Sequence, residues 1–303
     1  MSGLVTLTHR FRDPIRLPRY SFLRGSLQEA ARRSVALVTL LTDRVDRSVL
    51  EAGKGLRIVA NVAVGVDNID IAAATRLGIL VTNTPGVLTE ATADLTWALI
   101  LAVARRVVEG DALVRAGKFR GWNLDLLRGV DLHGKTLGII GAGRIGKAVA
   151  RRARGFGVKV LFHSRRSGIP LRRLLAGSDF VSIHCPLTPE THHLIGRREL
   201  GLMKRTAILV NTARGPIVDE KALIGALRRG RIAGAGLDVY EREPIVTAAL
   251  RRLKNVVLLP HLGSATVETR RRMLDMAIAN VRAALAGRRP PNLVNSEAWR
   301  RLR

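Results

Sequence analysis

The run Thr136–Ile140 (TLGII) leads straight into Gly141-Ala-Gly-Arg-Ile-Gly146, which in turn opens a helical pattern, RIGKAVARRARGFG. No other feature of the 303 residues restricts the fold so tightly. A short continuous apolar run reads as a strand covered on both faces, and such strands belong to parallel sheets. A glycine turn between that strand and a helix is the opening βα unit of a dinucleotide-binding fold. Gly141 permits the tight turn, Gly143 lets the backbone approach a pyrophosphate, and Gly146 lets helix pack closely on strand. The helix start, with Arg144 and Ile145 in its first turn, offers N–H groups and positive dipole to an anion.

Similar apolar runs recur along the chain at Leu4–Thr8, Val35–Leu41, Arg57–Val62, Ile79–Val81, Lys159–Phe162, Phe180–His184, Ile208–Asn211, Ala233–Asp238 and Val256–Leu259. They alternate with helical patterns, so the expectation is an α/β protein with two parallel sheets. Leu88–Leu113 reads as one long amphipathic helix with Gly117 beyond its end. The βαβ series then restarts at Leu132. A last helical pattern, Val267–Leu285, is expected to return to the first domain, and the Arg-rich stretch after Gly287 to fray. The predicted domains are therefore residues 1–85 with 267–303, a small discontinuous domain, around a nucleotide domain of 86–266.

Composition narrows the function classes. One cysteine, Cys185, excludes an internal disulfide and any cysteine-based metal centre, and it suits a reducing cytoplasm. No apolar run is long enough to span a bilayer. The His192–His193 pair is adjacent, a poor spacing for a metal. The formal charge of +27 is unusual, and all but eight of the 51 basic residues are Arg. It invites a nucleic-acid reading, but the Arg pairs are scattered and aromatics are only 4%, so an Arg-rich solvated surface is the simpler account.

Three further segments place polar residues at strand ends: NTARGPIVDE (Asn211–Glu220), LDVYEREP (Leu237–Pro244) and LLPHLGSAT (Leu258–Thr266). Ligands of doubly wound sheets bind at that edge. An Arg, a Glu and a His could converge there on a small anionic substrate. With the glycine motif, and with ANVAVGVDNIDIAAATRLGILVTNTPGVLTEATAD (Ala60–Asp94) and DFVSIHCPLTPETHHLIG, these segments resemble the D-isomer-specific 2-hydroxyacid dehydrogenase family, its glyoxylate/hydroxypyruvate reductase branch above all. The resemblance runs from about Val35 to about Ala286. It departs where Pro14 and Pro18 interrupt the N-terminal stretch, where the connection from Ser167 to Leu171 is short, and where Arg205 replaces a common Pro.

The resemblance implies two doubly wound, Rossmann-like domains with the active site in the cleft between them. It implies a catalytic trio of Arg214, Glu243 and His261. Substrate would also meet Leu41 and the backbone N–H groups of Val64 and Gly65. Cys185, Pro186, Thr212, Ala213, Asp238 and Gly263 would border the cofactor. The expected reaction is hydride transfer between NADP(H) and a small 2-oxo acid. Alternatives are a 2-ketogluconate reductase, another D-2-hydroxyacid dehydrogenase, or an NAD(H)-sensing corepressor-like protein.

Cofactor choice is read from the second strand of the nucleotide fold. An NAD-selective fold places an acidic residue about 20 residues past the glycine motif to hold the ribose. Here Ser164 holds that place, followed by Arg165 and Arg166. Arginine would favour a 2′-phosphate, so NADP is expected to be preferred, with NAD possible. The arm Leu88–Arg128, with Trp97, Phe119 and Trp122, resembles the family's dimer-forming segment and predicts a homodimer.

Overall fold

The structure, a computed structural model, describes residues 3–11, 17, 19–165 and 167–301. Pro14, Pro18 and Arg166 lie outside the described residues. The chain divides into two compact units, Met1–Leu88 with Thr266–Arg303, and Thr89–Ala265.

The first unit begins with β1 (Val5–Leu7), β2 (Tyr20–Phe22), α1 (Leu27–Arg33), β3 (Ala36–Thr39), α2 (Arg47–Ala52), β4 (Ile58–Asn61), α3 (Ile71–Arg76) and β5 (Leu80–Thr82). Its strands form one parallel sheet in the order β2-β1-β3-β4-β5. Helix starts are fixed by the side chains the sequence puts there. Ser26 and Glu29 close a reciprocal capping box on α1, and Asp46 accepts from the N–H groups of Ser48 and Val49 on α2. Alternate strand residues face opposite layers: Leu37 and Val59 pack with Ala31, Val49 and Leu50, while Ala36, Val38, Ile58 and Ala60 face the other way.

The second unit holds α4 (Thr89–Ala104), α5 (Val107–Arg115), β6 (Thr136–Ile140), α6 (Arg144–Ala153), β7 (Lys159–Ser164), β8 (Ser167–Gly168), α7 (Leu171–Gly177), β9 (Phe180–Ile183), α8 (Arg197–Leu202), β10 (Ile208–Asn211), α9 (Glu220–Arg228), β11 (Gly234–Leu237), α10 (Ala248–Arg251) and β12 (Val256–Leu258). The sheet order is β12-β11-β10-β9-β6-β7-β8, parallel throughout except for the short antiparallel β8. The winding reverses between β6 and β9, which is where an open α/β sheet leaves its ligand crevice. One face packs Leu137, Ile139, Phe180 and Val210 against Trp97, Ile100, Ala148 and Val149; the other packs Val181, Ile183 and Leu209 against Leu174, Leu200 and Leu223. No described helix is long and apolar enough to cross a membrane.

The chain then returns to the first unit through α11 (Val267–Leu285), capped by Thr266, and α12 (Ser296–Arg301). Met273, Leu274, Ala277, Ile278 and Val281 of α11 complete the core beneath Ala36, Val38 and Ala60.

Three expectations need correction. The helix expected over Leu88–Leu113 is two helices, broken at Arg106, whose φ is +52°. The cause is tertiary. Gly129 approaches so closely that a Cβ on it would lie 2.2 Å from the Ala104 carbonyl, and that carbonyl accepts from Val130 N–H at 2.9 Å. The stretch after Gly287 does not fray as a whole. Asn295 is buried; its Oδ1 accepts from Val81 N–H at 2.8 Å, its Nδ2 donates to the Ile79 carbonyl at 2.9 Å, and Ala298 of α12 is fully buried. Trp97 is a core residue rather than an interface one: it is 4% exposed, stacks on Phe156 at 4.4 Å and donates Nε1–H to the Val149 carbonyl.

Candidate active site

The glycine turn has the geometry its sequence calls for. Gly141 has φ +105°, and a Cβ there would lie 2.6 Å from both Cys185 N and His184 C, at the end of β9. Gly146 is as constrained: a Cβ would lie 2.1 Å from the Gly141 carbonyl. Gly143 is the opposite, with open space where a side chain would be, and it caps α6 without a side-chain acceptor. The first N–H groups of α6, at Arg144 and Ile145, thus face an open cradle beside the β6–β9 reversal. The observed cradle fits a pyrophosphate.

Beside it, Gly141 N–H donates to the His163 carbonyl at 2.8 Å, which brings the end of β7 to the same edge. Ser164 Oγ donates to the Ser167 carbonyl at 2.9 Å and accepts from Ser167 N–H at 3.1 Å, closing a tight turn from which Arg165 projects, exposed. Arg165 is the sequence-predicted phosphate partner that the structure describes. Cys185 is half-buried, and burial pushes its thiol up to about 11, so it is protonated at neutral pH and is no nucleophile. Pro186 is exposed and its carbonyl accepts from Thr191 Oγ1.

The ends of β10, β11 and β12 bring three side chains into one network. Arg214 follows β10 on a turn built by Asn211, whose Oδ1 accepts from Ala213 N–H and whose Nδ2 donates to the Arg214 carbonyl. Its Nη1 donates to the Ala213 carbonyl at 2.8 Å. His261 Nδ1 lies 2.8 Å from Glu243 Oε2, and Glu243 Oε1 accepts from Tyr240 N–H at 3.0 Å. Burial works to raise the Glu243 carboxyl, but hydrogen bonding and charge from His261, the Tyr240 N–H and the charge of Arg214 outweigh it and hold it below the usual range. An ionised carboxylate only accepts, so Nδ1 carries a hydrogen and Nε2 is left to face a ligand.

Asp238 sets His261 in place. His261 has φ +57°, a region non-glycine residues avoid. Its N–H donates to the Asp238 carbonyl at 2.9 Å, and the Asp238 carboxylate accepts from Leu262 N–H at 2.6 Å and Gly263 N–H at 2.8 Å. Thr92 Oγ1 donates to the Gly263 carbonyl. Burial raises the Asp238 carboxyl. Both its oxygens are therefore committed to the turn that carries His261. Thr212 is buried beneath, sharing a 3.0 Å hydrogen bond with Thr96.

Several residues that sequence reasoning passed over hold this network. A Cβ on Gly215 would lie 1.8 Å from the Tyr240 carbonyl, so the Arg214 loop and the Glu243 loop touch backbone to backbone. Glu220 N–H donates to Glu241 Oε2 and Glu241 N–H donates to Glu220 Oε2, a reciprocal tie between the same loops. The only signal for Gly215 was its place directly after Arg214; a small residue there has many ordinary explanations.

The first unit supplies the other predicted substrate residues. The Ala63 carbonyl accepts from Thr84 N–H, and the Val64 carbonyl from Asn83 Nδ2 at 2.8 Å. A trans peptide sets N–H opposite C=O, so the N–H groups of Val64 and Gly65 point away from these partners. Asn61 Nδ2 donates to the Gly65 carbonyl and is itself held by Thr39. Leu41 is half-buried just past β3.

Residues 97–263 match the profile of the D-isomer specific 2-hydroxyacid dehydrogenase NAD binding domain. The chain is 53% identical to glyoxylate reductase from Thermococcus litoralis over 302 residues, covering 95% of this chain and 90% of that one. It is 56% identical to glyoxylate reductase from Aeropyrum pernix, covering 90% and 86%. Among solved structures, it superposes on a protein from Thermus thermophilus with TM-score 0.91 at 47% identity, covering 96% and 99%. The NADPH-dependent glyoxylate/hydroxypyruvate reductase of Sinorhizobium meliloti, solved with NADP and malonate, gives 0.90 at 33% identity and 98% of both chains.

Proposed function

Because the chain belongs to the D-isomer specific 2-hydroxyacid dehydrogenases, we propose that it is an NADPH-preferring glyoxylate/hydroxypyruvate reductase. The observation that carries the chemistry is the 2.8 Å His261–Glu243 pair beside Arg214, at the strand ends of a dinucleotide fold. The bound nicotinamide would supply the hydride. The cofactor's pyrophosphate would be held by the Gly141–Gly146 turn with Arg144 and Ile145, and the cofactor would be bordered by Cys185, Pro186, Thr212, Ala213 and Gly263.

Arg214 grips the substrate carboxylate and carbonyl oxygen through its planar fork, which orients the carbonyl carbon. The family resemblance adds Leu41, Val64 and Gly65 as substrate residues, and the outward N–H groups of Val64 and Gly65 are donors of the kind a carboxylate accepts. Protonated His261 gives its Nε2 proton to the carbonyl oxygen, and Glu243 fixes the ring and balances its charge. One proton and one hydride turn the 2-oxo acid into the 2-hydroxy acid. Asp238 serves by holding the turn of His261.

Preference for NADPH rests on Arg165 and on the absence of a carboxylate at Ser164. The S. meliloti enzyme, named NADPH-dependent and solved with NADP, supports the same reading. The homodimer face is the exposed apolar arm around α5, with Val107, Val108, Val114, Phe119 and Trp122, the last 80% exposed; light scattering should give twice the chain mass. The functional test is a panel of glyoxylate, hydroxypyruvate, 2-ketogluconate and pyruvate, each assayed with NADPH and NADH. The two small acids with NADPH should give the highest kcat/KM. Turnover confined to 2-ketogluconate, or none at all, would overturn the reading.

A further inference from the structure

Few of the arginines behind the +27 charge take part in the proposed reaction, and at one place away from it they are arranged rather than scattered. A groove of about 400 Å³ lies between α8 and α9, in the outer helical layer of the second unit. Arg197, Arg205, Arg229 and Arg231 line it, and Ala222 and Ala226, one turn apart on α9, keep it open. It shares no residue with the strand ends that carry Arg214, Glu243 and His261.

One of the four guanidinium groups is held by a hydrogen bond, and a second lies against α9. Arg231 is half-buried and donates to the Gly201 carbonyl at the end of α8. Arg229 folds back over Gly225, where an added Cβ would lie 3.1 Å and 3.2 Å from its terminal nitrogens. The carboxylates on these helices are engaged elsewhere. Glu199 accepts from Gly196 N–H, and Glu220 binds Glu241 N–H and Thr247 Oγ1. Among the described residues, none of the four arginines forms an ion pair, and no carboxylate lines the groove.

Four cations around a concave space, without a counter-charge, form a receptor for a compact anion with several negative oxygens. Guanidinium groups bind phosphate oxygens through paired N–H donors, more strongly than an ammonium would. The volume suits a small ligand. We infer that this groove is a binding site for a small, multiply charged phosphate compound, separate from the cofactor's own pyrophosphate cradle.

Inorganic pyrophosphate is the probe, titrated by calorimetry into protein saturated with NADPH, so that the Gly141–Gly146 cradle is already filled. The expected result is saturable binding of one equivalent per chain, weakening as salt rises. Arg205→Ala with Arg229→Ala should lower the affinity about tenfold or more, while kcat for glyoxylate stays unchanged. Arg251→Ala with Arg252→Ala, an exposed pair elsewhere on this unit, should bind as the wild type does. No saturable heat, or equal losses in the two double variants, would overturn the assignment. So would a short single-stranded DNA that binds more tightly than pyrophosphate and loses its binding in the groove variant, since the ligand would then be a polymer.

Discussion

The two ends of the second unit's sheet are built in opposite ways. At β10–β12, the polar groups around the trio have committed partners: Asn211 under Arg214, Tyr240 N–H on Glu243, Asp238 on the turn after His261, and Gly215 pressed against Tyr240. At β7–β8, a single serine pair closes the turn and Arg165 stands in solvent. Chemistry needs reacting groups fixed to within a fraction of an ångström, whereas discrimination between two cofactors needs only a charge at the right place. Substitutions at the first end should therefore fail by displacement, and those at the second should change preference while leaving the fold alone.

Gly215→Ala should break the rigid end outright. Its Cβ would collide with the Tyr240 carbonyl, and separating the loops by about an ångström should lower kcat about 100-fold; a near-normal kcat would show that the loops have slack. At the other end, Ser164→Asp with Arg165→Ala should move kcat/KM from NADPH toward NADH by about ten- to a hundredfold, the worth of one charge-assisted hydrogen bond, with an unchanged melting temperature. Equal use of the two cofactors by the wild type would remove this contrast. Asp238→Asn should leave one buried N–H of Leu262 or Gly263 without an acceptor, costing about 1–3 kcal/mol in urea unfolding.

The smallest effect is on acid stability. Glu243 has its folded pKa depressed from 4.5, so its contribution is full above 4.5 and is lost as pH falls through the lower folded value. In urea titrations from about pH 7 to about pH 3, the wild type should lose more stability than Glu243→Gln. An equal loss would mean that the carboxylate gains nothing from its partners on folding.

The same contrast explains what the sequence could reveal. Buried parallel strands announce themselves by continuous apolar runs, and each expected run overlaps a strand of the structure. The two without an expected run, Tyr20–Phe22 (YSF) and Ser167–Gly168 (SG), are sheet edges that carry no continuous apolar run. The break at Arg106 lay hidden because no Pro or Gly marks it; its cause, Gly129, sits 23 residues downstream. In the site, the strand-end segments and the family resemblance pointed to Arg214, Glu243 and His261, to whose side chains we assign the chemistry. Gly215, Asn211 and the Glu220–Glu241 tie act through backbone contacts that only the folded chain displays.

In the proposed reaction His261, aimed by Glu243, delivers the proton that accompanies hydride transfer. Steady-state reduction of glyoxylate by His261→Ala, with NADPH binding followed in parallel by fluorescence, tests it most directly. The expected kcat is lower by about 10²–10⁴-fold, the range for a positioned general acid, with cofactor affinity unchanged. A kcat within a few-fold of the wild type would contradict it.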